Sequence, residues 1–277
     1  MKRSLFLFFG LFCYALFGVA SAFAFCFLGN IGLPNTIDSP AAGHVAVAIA
    51  INLALLTLFA VQHSVMARPW FKRWWTQYVP QPIERSMYCL FSCVALGALI
   101  WLWQPVGFVL WDLQSPLVRS LLFAIYVAGW LTVIAASWHI SHFELFGLRQ
   151  VWLYYRNLQN EPLPFITPGA YRFVRHPLYV GWLLVFWAAP TMTASHLLFA
   201  AVTTIYILLA IQWEERDLVS HFGATYENYR RRVPMLIPWR WTLAKSAIEM
   251  PGTQSAIPTR SLSRTIRGDT DVLKTLS

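Results

Sequence analysis

The residues best equipped for chemistry gather at Arg175-His176-Pro177-Leu178-Tyr179-Val180-Gly181. Proline suits the first position of a helix, where its missing N–H leaves nothing unpaired. A helix opening at Pro177 turns its free amides and the positive end of its dipole toward Arg175, an arrangement that suits a carboxylate or other anion. His176 adds a side chain that can donate or accept a proton at the same place. Further on, Glu214-Glu215 closes an apolar run. Carboxylates at that depth are costly unless they reach water or a partner, which makes them functional candidates. An anion-binding helix end beside carboxylates suits a zwitterionic ligand with a cationic centre. The segment from His221 to Trp239 is aromatic and basic, and Tyr226, Tyr229 and Arg230 fit a lid that stacks on a purine or a sulfonium. The same composition also suits a segment lying on anionic lipid. His139 and His142 stand at i and i+3, on one face of a helix. No carboxylate or cysteine joins them at firm ligand spacing, so a hydrogen-bonding or general-base role is expected and no metal.

These groups must be carried by helices in lipid. Of 277 residues, 57% are hydrophobic and 12% charged, and the mean hydropathy is +0.51. A water-soluble domain does not have that balance. Spans are predicted at Leu5 to Leu28, His44 to Met66, Ser86 to Leu110 and Ser120 to Trp138. A hairpin of two shorter spans follows, Leu178 to Thr193 and His196 to Trp213. Their backbones must be helical, because unpaired amides find no water in hydrocarbon. The sixteen prolines fall mostly between these runs.

The net charge of +9 resides largely in the loops, which excludes a nucleic-acid footprint and instead orients the helices. Lys2 and Arg3, the loop with Arg68, Lys72, Arg73 and Arg85, the connector with Arg149, Arg156, Arg172 and Arg175, and Arg230 to Arg232 alternate with loops that lack basic residues. Arg119 is the misfit. Both termini and every basic loop are therefore expected on the cytosolic face. The first run stays apolar through Leu28, longer than the hydrophobic part of a signal peptide, which favours a retained helix over a cleaved one. All four cysteines lie inside apolar runs, as small apolar side chains.

The combination Arg175-His176-Pro177, Tyr179 and Gly181, then Glu214, Glu215 and Leu218, then Phe222, Gly223, Tyr226 and Tyr229 with a closing proline resembles the isoprenylcysteine carboxyl methyltransferase-like superfamily of membrane methyltransferases. Gln62 to Arg68, Glu84 to Tyr88, Ser141 to Gln150, Pro190 to Thr193 and Arg231 to Pro234 look like its methanethiol S-methyltransferase branch. The resemblance implies S-adenosyl-L-methionine as methyl donor, methanethiol as acceptor and dimethyl sulfide as product. It carries over Arg175, His176, Tyr179, Gly181, Glu214, Tyr226, Tyr229 and Arg230 as cofactor contacts. A thiol attacks as thiolate, and its proton could pass to His142, Glu144 or Glu215.

The expected protein is an all-α integral membrane protein, multi-pass, in the inner membrane if bacterial. It has about six transmembrane helices, or five if the last hairpin is partly re-entrant, and a catalytic region at the cytosolic face. Residues 1–138 form a four-helix region, 139–240 the connector, hairpin and lid of the methyltransferase site, and 241–277 a polar, disordered tail. Competing readings are a related enzyme for another small thiol, a prenylcysteine carboxylate or a lipid, and a non-enzymatic membrane protein resembling NnrU.

Overall fold

The computed structural model describes residues 1–41, 43–161 and 165–238. The polar tail expected after Trp241 lies outside them. Helices run in chain order as α1 (Lys2–Leu28), α2 (Val45–Ala67), α3 (Pro69–Trp75), α4 (Glu84–Leu102), α5 (Pro116–Ile140), α6 (His142–Leu145), α7 (Leu148–Tyr155), α8 (Pro177–Trp187), α9 (Ala194–Phe222) and α10 (Ala224–Arg232). Two short strands, β1 (Val109–Asp112) and β2 (Thr191–Thr193), pair antiparallel. Among the described residues five helices are long and apolar enough to cross a membrane: α1, α2, α4 with its leading turn, α5 and α9. The chain is an all-α integral membrane protein.

Large apolar side chains are found on both sides of the bundle wall. Phe8, Phe12, Leu121, Leu131 and Ile205 face outward, more than two-fifths exposed, as lipid requires. Inside, Phe27, Ile37, Leu99, Trp103, Val185, Phe199 and Ile211 build a core shared by α1, α2, α4, α5, α8 and α9. The closest packing joins α5 to α8.

Three predicted boundaries shift, the ends of the third, fifth and sixth spans. The third span was expected to reach Leu110, but α4 ends at Leu102. Pro105 cannot donate to a helix and disfavours helical geometry at Gln104, and Gly107 turns with φ +74°. The freed amide group of Gln104 needs partners at this depth, and the fully buried Asn52 of α2 supplies them. Its Nδ2 donates to the Gln104 carbonyl at 2.7 Å and its Oδ1 accepts from the Gln104 N–H at 2.9 Å. The chain then runs into β1.

The fifth span is also shorter than expected. With 11 residues α8 rises only ~16 Å, about half of a ~30 Å hydrocarbon layer. Past α8 the chain turns at Ala188, where the Ala189 N–H donates to the Trp187 carbonyl at 2.9 Å, and passes Pro190 into β2, whose pairing with β1 satisfies its amides. By contrast α9, with 29 residues, is ~43 Å long and must protrude from the bilayer.

The bundle therefore has two distinct ends. One gathers the basic segments, tied by Arg3 to Asn157 at 2.7 Å and by Arg68 to Asp217 at 2.9 Å. The other is held by an acidic residue that the charge count passes over. Asp38 accepts from the Thr193 N–H at 3.0 Å and hydroxyl at 2.7 Å, and lies 2.8 Å from His196 Nδ1. The opposite ring nitrogen of His196 faces the Phe186 carbonyl at 3.1 Å, so both nitrogens face oxygen. These bonds tie the α1–α2 loop to β2 and to the start of α9. Arg119, the misfit in the charge pattern, is paired here with Asp112 at 3.0 Å.

Burial raises the pKa of Asp38, but the hydrogen bond and charge of His196, with Asn30 and Thr193, outweigh it and hold the carboxyl below its usual value. Its contribution to stability is thus complete above the unfolded carboxylate range and is lost as pH falls through the lower folded value. Asp38→Ala leaves His196 unpaired in a dry site and is expected to cost about 3 kcal/mol at neutral pH. Thermal unfolding in detergent should show a melting point well below that of the wild type. The gap should narrow in acid, and a gap that stays constant down to about pH 3 would contradict the pairing.

Candidate functional site

The site is built where α8 begins, at the basic end. No side chain caps α8; His176 occupies the cap position and Pro177 the first turn. The closing segment, residues 233–238 after α10, clamps this start, with the Arg175 N–H donating to the Pro234 carbonyl at 2.9 Å and the His176 N–H to that of Met235 at 3.2 Å. Arg175 is the hub. Its Nε donates to Glu215 at 2.7 Å, and its Nη1 donates to the carbonyls of Arg230 at 3.0 Å and Val233 at 2.6 Å. One guanidinium thus fastens the protruding end of α9, the end of α10 and the closing segment to the start of α8.

Glu215 also lies 3.1 Å from His176 Nε2, and His176 itself is buried. Its neighbour differs in kind. The Glu214 carboxylate is 44% exposed, accepts from the Tyr179 hydroxyl at 3.0 Å and lies 3.9 Å from His176 Nδ1. One turn of α9 therefore carries a carboxylate locked in an ion pair and another presented to the surroundings. The first holds the site together, and the second is available to a cation.

Above them lies an aromatic cover. Phe165 contacts Phe222, Tyr226 and Tyr229 with ring centroids 5.1, 5.7 and 5.4 Å apart. Tyr229 is tied down by its hydroxyl, which donates to the Tyr171 carbonyl at 2.6 Å. Tyr226 is 1% exposed, yet among the described residues neither its hydroxyl nor that of Tyr171 has a hydrogen-bond partner. Orphaned buried hydroxyls cost about 1–3 kcal/mol each, which marks a place for a polar ligand. Burial pushes the phenols of Tyr171, Tyr226 and Tyr229 upward, with nearby glutamate charge adding to it, so they stay protonated donors. Arg230, half exposed, lies 3.9 Å from Glu215.

The structure brings together Arg175, His176, Tyr179, Glu214, Glu215, Tyr226, Tyr229 and Arg230. It places the other three predicted site residues elsewhere. His142 lies 2.8 Å from the Tyr14 hydroxyl and 2.9 Å from that of Ser137, stacked on Trp138 between α1 and α5. Burial lowers its pKa. Glu144 is held by Arg149 at 2.8 Å and Gln150 at 2.9 Å. His139 and His142 do not share a helix face, because Ser141 at φ +103° ends α5 between them. Gly181 faces α5: a Cβ there would lie 2.8 Å from the Gly129 carbonyl and 2.9 Å from the Val133 nitrogen. Its smallness permits the close α5–α8 approach.

Sequence reasoning missed Tyr171 and the backbone carbonyls of Arg230 and Val233. No residue type announces a carbonyl acceptor, though the arginine needing partners was visible. Gly181→Ala pushes two helix backbones apart and is expected to cost about 2 kcal/mol. The measurement is the melting temperature without ligand, and an unchanged value would contradict the packing role.

Comparison with known proteins places this geometry in a family. Residues 120–225, which include most of α5 and all of α8, β2 and α9 with Glu214 and Glu215, match the phospholipid methyltransferase family. The methanethiol S-methyltransferase of Crocosphaera subtropica is 50% identical over 239 residues, covering 86% of this chain and 94% of that protein. That of Mycobacterium tuberculosis is 48% identical over 239 residues, 86% of this chain and 98% of that protein. Nurim of Sus scrofa is 36% identical over 183 residues, 63% of this chain and 69% of that protein. No solved structure matches the chain. Identity near one half that runs through both the bundle and the α8–α9 site leaves one assignment: the chain belongs to the methanethiol S-methyltransferase family of membrane methyltransferases.

Proposed function

We propose that the protein transfers a methyl group from S-adenosyl-L-methionine to methanethiol, giving dimethyl sulfide, with the basic end of the bundle on the cytosolic side. The observation that carries this reading is the divided carboxylate pair, Glu215 locked to Arg175 and Glu214 presented beside Tyr179, beneath an aromatic cover with unpartnered hydroxyls. The donor is a zwitterion with a sulfonium and a purine. Exposed Glu214 suits its cationic groups, the start of α8 with Arg230 suits its carboxylate, and Tyr171, Tyr226 and Phe165 suit the purine and ribose.

When bound, the donor supplies an activated methyl group. The residues around it bind, orient and exclude water. Arg175 and Glu215 hold α8, α9 and α10 in register, so that Tyr179 and Glu214 stay fixed relative to the cover. Alignment of this kind contributes much of the rate in a displacement that needs sulfur, methyl carbon and leaving sulfur in line. The aromatic cover keeps water away from that line. Supply from two phases fits the location: a charged donor comes from the cytosol, while a small apolar thiol partitions into the bilayer that surrounds the same helices. The positive-inside pattern, Lys2, Arg3, Arg68, Arg73 and the arginines of the connector, supports the cytosolic placement of this end.

A lipid acceptor is the second reading. It is favoured by the phospholipid methyltransferase match and by an open apolar groove of about 410 Å³ between α5, α8 and the closing segment, lined by Ile125, Val180, Leu183, Trp187 and Leu236.

Purified full-length protein should bind S-adenosyl-L-methionine in calorimetry. Glu214→Gln should weaken that affinity about tenfold, roughly 1.4 kcal/mol, with an unchanged melting temperature because the side chain is half exposed. Labelled donor tested against a panel of thiols and phospholipids should give turnover with methanethiol. Turnover confined to lipids would transfer the assignment to the second reading, and donor affinity untouched by Glu214→Gln would remove Glu214 from the site.

A further inference from the structure

A second polar cluster lies deeper in the bundle, between α2, α4 and α9, and the donor site leaves it unused. His63, half-buried and near the basic end of α2, has Nε2 2.8 Å from the Tyr88 hydroxyl and Nδ1 3.2 Å from the Ser92 hydroxyl. Phe59 stacks on its ring with centroids 5.4 Å apart. Gln62 donates to Ser92 at 3.4 Å, and its Oε1 is buried with no partner among the described residues. Polar groups inside a membrane bundle are expensive, and a buried acceptor left unsatisfied is more so.

The cluster connects to the donor site. The Ser64 and Tyr206 hydroxyls meet at 3.0 Å and Arg68 pairs with Asp217 at 2.9 Å, which fixes α2 against α9 at two levels. Along α2, His63 therefore sits ~7 Å deeper than Arg68. Tyr179, which donates to Glu214, has Tyr206 and Tyr88 as electrostatic neighbours. Other charged groups around Tyr88 and Tyr206 are Arg85 and Arg68. Tyr206, which holds Ser64 beside His63, precedes Glu214 by about two turns of α9, ~12 Å along its axis, so the cluster lies on the hydrocarbon side of the carboxylate pair.

Resting on the thiol methylation proposed above, we propose that His63, oriented by Tyr88 and Ser92, is the group that receives the proton of the small thiol acceptor. The S–H bond breaks with its electron pair kept on sulfur and its proton taken by a ring nitrogen of His63. The thiolate sulfur then bonds to the methyl carbon of the sulfonium donor as the bond between that carbon and the donor sulfur breaks, leaving two neutral thioethers. The imidazole later releases its proton toward Tyr88 and water at the basic end. Of the three candidates read from sequence, His142 and Glu144 lie away from this cluster and are held by other partners, and Glu215 is locked to Arg175.

The test compares wild type, His63→Gln and Tyr88→Phe as full-length protein in lipid nanodiscs. His63→Gln should keep donor affinity within about twofold and lower kcat/KM for methanethiol at neutral pH by about 100-fold. The deficit should shrink as pH rises and solution thiolate replaces the missing base, and added imidazole should restore part of the rate. Independently of turnover, methanethiol added to donor-free wild type should move the His63 signal in NMR of labelled histidine side chains. If His63→Gln does not fold, Tyr88→Phe carries the test, with an expected fall of about tenfold and unchanged donor affinity. Kinetics within threefold of wild type, a deficit that ignores pH and imidazole, or a parallel loss of donor affinity would overturn the proposal. Wild type that binds donor but methylates no small thiol would instead remove the reading on which it rests.

Discussion

A single ion pair organises the end of the bundle where the α8–α9 site lies. Arg175 and Glu215 approach to 2.7 Å with each side chain only 11% exposed, and Nη1 of the same guanidinium donates to carbonyls of α10 and the segment after it. A buried pair of this kind adds little net stability compared with an apolar replacement, but removing either partner strands a charge where water is scarce. Its value is geometric. It commits the start of a short helix, the end of a long one and the segment beyond to one arrangement, and that arrangement leaves Glu214 as the carboxylate turned outward.

Everything else in the bundle follows from the same scarcity of water. Where the helices stay regular their amides are paired internally, and where they do not, a specific partner has been recruited. Asn52 satisfies the backbone that α4 releases at Gln104. The β1–β2 pairing satisfies amides of the chain that follows α8. Asp38 and His196 close the end opposite the site. These devices let α8 stop short and α9 overshoot, and the overshoot carries Glu214 and Glu215 out to the interface.

Much of this was legible in the sequence. Apolar runs locate α1, α2 and α5 to within a few residues, because lipid fixes their length. Hairpin logic brings His176 and Tyr179 beside Glu214 and Glu215, because consecutive crossings are neighbours. All but one of the misses share a cause: they depend on a partner distant along the chain. The end of α4 was hidden because Trp103 to Leu110 is mostly apolar, and only the Gln104-Pro105 pair hinted at it. Asp38 was overlooked because topology is counted in basic residues. The i, i+3 spacing of His139 and His142 misled because a left-handed Ser141 lies between them. Gly181 was read as a contact to ligand, whereas its neighbours are the backbones of Gly129 and Val133.

The account stands or falls on the donor occupying the mouth formed by α8, α9 and α10. Hydrogen–deuterium exchange of the protein in nanodiscs, with and without S-adenosyl-L-methionine, tests that most directly. The predicted result is protection confined to residues 165–182 and 211–236, with the loops at the Asp38 end unchanged. Protection centred instead on residues 137–150 around His142, or none in the presence of saturating donor, would contradict it.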